Sequence, residues 1–334
     1  MHPLPEAPSV EDLPDAARYF PPGDGVYQVK PGFIRLGQDL GNGPADAQVF
    51  QFDQSFPHFR QAKLQARAEC LPKYYRTADY PPEVADTVAA FLIHRLAQEH
   101  PAHFLLEEDN TGAHLHCVLT GETLYFDKEY QLRGVKAEGS EPPYTDALDA
   151  LACQVQEDLA VVCRRPEGGD WLAAVHLCSP NHWAAGEKVG RAFAQVHAPV
   201  AGMGPLNQRS GDLVKAMIER GPYLRFAWGL ATDTRLNHHP EPPLNTLPEN
   251  WQGRYFDPRN PRLFVRLERQ VLWGFPREEA ALFAIRTYFR DCARLSPQER
   301  AQLRLALLSM TPETLAYKGL AAHRDPLLEW LAKT

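Results

Sequence analysis

The segment RLFVRLERQVLWGF, residues 262–275, alternates in polarity with a period of two. Leu263, Val265, Leu267, Val271 and Trp273 fall on one face, and Arg266, Glu268 and Gln270 on the other, as in a strand with one face toward a core. ALFAIRTYF, residues 281–289, returns after a proline-containing turn, and register arithmetic sets Arg286 near Arg269 across the pair. A strand pair of this length commits the chain to an antiparallel sheet. Arg269 breaks the pattern, because it falls on the apolar face.

The remaining elements are short, since 30 prolines punctuate the 334 residues, roughly 9% against a usual ~5%. Residues 1–25 read as a Pro-rich arm, and DGVYQV begins the first strand. Pro57 opens a basic helix. Pro82 opens a second, with Val84, Val88, Phe91, Leu92 and Leu96 on one stripe. HLHCVLTGETLYF predicts a hairpin turning at Thr120-Gly121, followed by a polar stretch over 127–143. Leu148, Leu151, Ala152 and Val155 mark a short helix. DLAVVCRR and DWLAAVHLC are strands joined by Pro166-Glu167-Gly168-Gly169. AAGEKVGRAFAQVH is helical in composition up to Pro199, and a further helix runs from Ser210 or Asp212 to Arg220. YLRFAWGL is a strand. The tail is helical, with a capping box at Ser296-Pro297-Gln298-Glu299 and a start at Thr311-Pro312-Glu313. Hairpins separated by helices, without β-α-β alternation, give an α+β class with a mostly antiparallel sheet. The expected organisation is an arm (1–25), a core (26–295) and a C-terminal helical extension (296–334).

Composition narrows the function. A net charge of −7 argues against nucleic acid and anionic membranes, and no run of about 18 apolar residues is present. The N-terminus does not resemble a signal peptide. Six cysteines are scattered without a C-x-x-C pair, which excludes zinc-ribbon and iron–sulfur patterns and suits buried thiols in a reducing cytoplasm. Gly202-Met203-Gly204 lacks the strand-to-helix context of a dinucleotide fingerprint, and Ser179 is in no nucleophile elbow. His114 and His116 share a strand face without a third ligand nearby, so a partly exposed hairpin is expected there. His238-His239 reads as a solvated loop.

Two constellations remain. In residues 178–202, His197 sits near a helix end just before Ala198-Pro199, where it could present a ring nitrogen to a metal or haem, or simply cap the last carbonyls of its helix. On the strand pair, Arg269 faces inward and needs an anion, and a ligand carboxylate such as a haem propionate would serve. Arg286 and Arg225 could share that role.

These segments resemble the haem-dependent oxidative N-demethylases, the haem subunits of bacterial dimethylamine-type monooxygenases. The resemblance rests on SPNHWAAGEKVGRAFAQVHAPV (179–200), LRFAWGL (224–230), VRLERQVLWGFPREEAALFAIRTY (265–288) and YKGL (317–320), with VQEDLAVVCRR upstream. It spans most of residues 25–320. It implies a PAS-like antiparallel sheet flanked by helices and enclosing haem b, with O2 reduced at that haem. The electrons would come from NADPH through separate flavin and iron–sulfur subunits. A small secondary amine would lose an N-methyl group as formaldehyde, leaving a primary amine.

By the same resemblance His197 is the metal ligand, with His176 or His182 in reserve. Arg269, Arg286, Trp183, Lys188 and Gln270 bind the cofactor, while Glu268, Arg225 and Trp228 serve the substrate. The sequence departs from the family at Ala227, where asparagine is usual before the tryptophan, at Ala201 in the P-V-P-G-like ending, and at His176 and His182. A non-catalytic PAS-like haem or small-ligand sensor is the competing expectation.

Overall fold

A computed structural model describes residues 6–136 and 142–333. Residues 1–5 of the expected arm and 137–141 of the expected polar stretch lie outside the described residues. The chain is α+β. Its strands are β1 (Ile34–Arg35), β2 (Tyr75–Thr77), β3 (Phe104–Glu108), β4 (Ala113–Cys117), β5 (Glu122–Phe126), β6 (Leu132–Lys136), β7 (Asp158–Arg164), β8 (Asp170–His176), β9 (Tyr223–Ala231), β10 (Phe264–Phe275) and β11 (Ala280–Asp291). Seven of them form one antiparallel sheet in the order β1-β9-β10-β11-β7-β8-β2, and β3 to β6 form a separate meander.

β10 and β11 are the predicted pair, and Arg269 stands opposite Arg286. The residues expected to begin the first strand, 24–29, are not strand; Tyr27 instead donates its backbone N–H to Ser309 Oγ at 2.8 Å. The helix predicted over 184–197 is two short pieces, Ala185–Lys188 and Phe193–His197. Gly190, at φ 81°, separates them, a conformation open to glycine and closed to a continuing helix. The Ser296–Glu299 capping box forms with both of its reciprocal bonds.

Both faces of the large sheet are covered. On one, Leu159, Val161, Val271, Leu282 and Ala284 pack with Val88, Leu92 and Leu96 of the helix Pro82–Glu99. On the same side Val265, Leu267 and Tyr288 pack with Val10, Leu13 and Tyr19 of the N-terminal segment and with Leu303, Leu307 and Leu328 of the tail. On the other face Val162, Leu172, Leu272 and Ala281 meet Val214, Met217 and Ile218 of the helix Ser210–Arg220. That helix lies so close that a Cβ on Gly274 of β10 would stand 2.0 Å from the Ile218 carbonyl oxygen, so only glycine fits.

Arg266, Glu268 and Gln270 therefore do not face solvent. They point from the sheet into a space that the short helices, the N-terminal segment and the tail close over.

Candidate functional site

That space is a cavity of about 620 Å3, within the range of cofactor pockets. Its floor comes from strand parity. β9 contributes Arg225, Ala227 and Gly229; β10 contributes Gln270, Glu268 and Arg266, standing directly opposite them in register. Phe283, Ile285 and Val162 add an apolar side. Ala227 faces Glu268, and its small side chain leaves the space above the carboxylate open.

His197 ends the helix Phe193–His197 and lines the cavity. Its Nδ1 lies 2.8 Å from the Phe193 carbonyl oxygen, so Nδ1 carries the proton. Nε2 has no hydrogen-bond partner among the described residues. Burial pushes this imidazole down to about 4, Arg225 and Lys188 adding to the shift while the Phe193 carbonyl opposes it. It is neutral at pH 7, with a bare lone pair on Nε2. The bond back to its own helix uses Nδ1 and so leaves Nε2 open.

His182 also lines the cavity. Held at φ 61°, it stacks on His238 with ring centroids 5.3 Å apart and planes 5° apart. Burial, then Arg254, His238 and Arg266, push it down to about 2. His238 is not solvated, and neither is His239: both are buried. Arg266 donates to His238 Nδ1 at 2.7 Å, so His238 Nε2 donates to Asp233 Oδ1 at 2.8 Å. His176 is elsewhere, fully buried, with Nε2 3.1 Å from Asp149 Oδ1 and Nδ1 3.8 Å from Cys178 Sγ. Asp149 also takes two bonds from Arg67. The nearby Asp149, Cys153 and His176 thus form part of a satisfied ion network, and His176 does not line the cavity.

The sheet face also separates the arginines. Arg225 lines the cavity, and its buried Nε makes no hydrogen bond; its guanidinium has no hydrogen-bond partner among the described residues. Arg269 and Arg286 point to the opposite face, which corrects the expectation that they hold cofactor carboxylates. Arg269 donates to the carbonyls of Gln48 at 2.6 Å and Val49 at 3.4 Å. Arg286 pairs with Asp53 at 2.6 Å, both side chains buried. The anion expected from a ligand is thus supplied to Arg286 by the protein, and Arg269 donates through its two terminal nitrogens to backbone carbonyls.

Trp183, Lys188, Gln270, Glu268 and Trp228 all line the cavity. Lys188 Nζ donates to the Val196 carbonyl at 3.1 Å and stands 4.7 Å from the Trp183 ring centroid. Gln270 Nε2 donates to Glu268 Oε2 at 2.9 Å, and Glu268 is the one cavity anion set back from the mouth, where Asp24 is exposed.

Sequence reasoning missed Arg254 and the roles of Tyr27 and Lys318. Arg254 has no hydrogen-bond partner among the described residues, and burial, with Arg266 adding to it, pushes its guanidinium down to about 10. Its side chain runs past Gly319, at φ 68°, where a Cβ would lie 2.6 Å from Arg254 Cδ. Lys318 donates to the Trp228 carbonyl at 2.6 Å and sits 4.7 Å from the Tyr27 ring centroid. Burial brings its ammonium down to about 8, against the pull of Glu268.

A bare imidazole nitrogen and the Arg225 guanidinium, free of hydrogen-bond partners among the described residues, are donors that could hold a metal-centred, carboxylate-bearing cofactor. A family model described as haem-dependent oxidative N-demethylase, alpha subunit-like, matches residues 43–328. The chain belongs to this family. The matched region carries the whole strand floor of the cavity, His197 and Lys318; Tyr27 lies ahead of it. No helix among the described residues is long and apolar enough to cross a membrane.

Proposed function

We propose that the chain binds haem b in this cavity and is the oxygenase subunit of an oxidative N-demethylase. It would take a small secondary amine and O2, with electrons delivered from NADPH by separate flavin and iron–sulfur subunits, to formaldehyde and a primary amine. The observation that carries the reading is the bare Nε2 of His197 beside the unpartnered guanidinium of Arg225 in one cavity of about 620 Å3.

When bound, haem supplies the iron chemistry that reduces O2 and oxidises the N-methyl group. The protein's own part is positioning and electrostatics. His197 offers its lone pair to the iron, the Phe193 carbonyl fixing its tautomer. Arg225 and Lys188 neutralise propionates, and Trp183 supplies an aromatic wall against the macrocycle. Glu268 accepts a hydrogen bond from the amine nitrogen and balances its charge, and Gln270 holds the Glu268 carboxylate in place from one side. Phe283, Ile285, Val162 and Trp228 exclude water around the methyl group.

Haemin titration of the purified chain tests the reading: uptake at one per chain with an imidazole-type visible spectrum is expected, and no uptake overturns it. Formaldehyde release with a reductase, dimethylamine and O2 then separates an enzyme from a haem-binding sensor.

A further inference from the structure

The cavity carries more cations than a haem can neutralise. Of its charged lining residues, Lys30, Asp24 and Arg191 are exposed at the mouth. Arg266 has both terminal nitrogens engaged, by the carbonyls of Ser179, Pro180 and Leu236 and by His238. Lys188, Arg225, Arg254 and Lys318 remain, against Glu268 alone. They fall into two groups by position: Lys318 Nζ lies 4.0 Å from where a Cβ on Gly229 would stand and Arg254 runs past the adjacent Gly319, whereas Arg225 stands four residues away along β9, opposite Gln270, and Lys188 bonds the Val196 carbonyl beside His197. Glu268 is felt by Lys188, Arg225 and Lys318.

Haem b bears both propionates on one edge of its ring, so they cannot serve two separated groups of cations. A plain dimethylammonium would add a further cation to this desolvated space and occupy Glu268, leaving Lys318 and Arg254 with no anion. An amine that also bears a carboxylate adds no net charge, and its two ends match the neighbouring Glu268 and Lys318.

We infer that the amine recognised here carries a carboxylate, as N-methyl amino acids do, with its nitrogen on Glu268 and its carboxylate between Lys318 and Arg254. This assignment rests on the haem reading above and names the substrate class of that same site.

The test begins with haemin uptake by the full chain. N-methylglycine and dimethylamine are then titrated separately into the haem-loaded protein, followed by calorimetry and by perturbation of the visible band. N-methylglycine is expected to bind tighter by about tenfold or more, the effect of one charge-assisted contact. Lys318→Met and Arg254→Met are each expected to weaken N-methylglycine binding by about tenfold and not to weaken dimethylamine binding, with haemin stoichiometry retained. Equal affinities for the two amines in the native chain overturn the inference, even if neither variant folds. Loss of haem from either variant also overturns it, because those cations then hold propionates. Failure to take up haemin removes the proposed function together with the inference, whereas uptake without a carboxylate preference removes the inference alone.

Discussion

The His197 Nδ1 and the Phe193 carbonyl oxygen are 2.8 Å apart, four residues along one short helix. That bond decides which nitrogen faces the cavity. Replacing His197 with Ala is expected to change the visible spectrum of the haem-loaded protein and lower its haem affinity. Added imidazole should restore the native band, since the variant leaves a hole of the right shape. A native spectrum and native haem retention in His197→Ala would assign the ligand to His182 instead.

Arg225 and Arg286 predict opposite outcomes. Arg225 is half-buried and, unlike Arg286, makes no side-chain hydrogen bond to any described residue, and burial of its guanidinium depresses its pKa against the pull of Glu268 and Tyr27. Arg225→Met should therefore weaken haem uptake while leaving the haem-free chain at least as stable as before. Arg286→Met strands Asp53 in the core, at a cost of about 3–5 kcal/mol, with haem stoichiometry unchanged in the molecules that fold. Chemical denaturation and haemin titration of both variants check the pair. Loss of haem affinity only from the Arg286 variant would place the propionates on the other sheet face.

The exchange of roles between these arginines shows what was legible in the sequence. The alternation of residues 262–275 correctly gave strand, register and pairing. By itself it separates an apolar face from a polar one. Both faces of the sheet are covered, so the polar stripe Arg266–Glu268–Gln270 marks an internal cavity. Alternation reports two environments without saying that either is water. The same limit applies to His238, whose loop setting suggested solvent although Arg266 and Asp233 satisfy it in the interior. Arg254 and Tyr27 join the site from irregular segments with no periodicity to betray them. Lys318 comes from the tail, where YKGL marked the place without marking the charge.

Glu268 is the interior carboxylate of the cavity, steadied by Gln270 at 2.9 Å. Glu268→Gln keeps the shape and removes the charge. Amine affinity should fall by about tenfold or more, as expected for losing a charge-assisted bond, with haemin uptake retained. Calorimetric titration of the amine into native and variant protein measures this. Unchanged affinity would remove Glu268 from substrate binding.

Buried neutral histidines make the fold sensitive to mild acid. Burial and the neighbouring Arg266 depress His238 to about 4, against the pull of Asp233, while the unfolded chain takes up its proton near ~6.5. Between these values the unfolded state binds more protons, so stability falls as pH drops below ~6.5 and continues to fall toward 4. By pH 5 His238 alone accounts for about 2 kcal/mol, and His182, lowered further still, acts in the same direction. Asp149 adds a later loss. Burial alone would raise its carboxyl, but the bonds from His176 and Arg67 outweigh burial and hold it below the usual range. Its contribution is complete above ~3.9 and disappears only as pH falls below that. Melting temperatures of the haem-free chain should therefore decline between about pH 6.5 and pH 4.5, with the buried Glu157 and Asp158 carboxyls, raised by burial, acting in the opposite direction. His238→Gln, which can still accept from Arg266, should flatten the decline. An equally steep pH dependence in the native and His238→Gln chains would mean that His238 is already protonated in the folded chain, with its Arg266 bond broken.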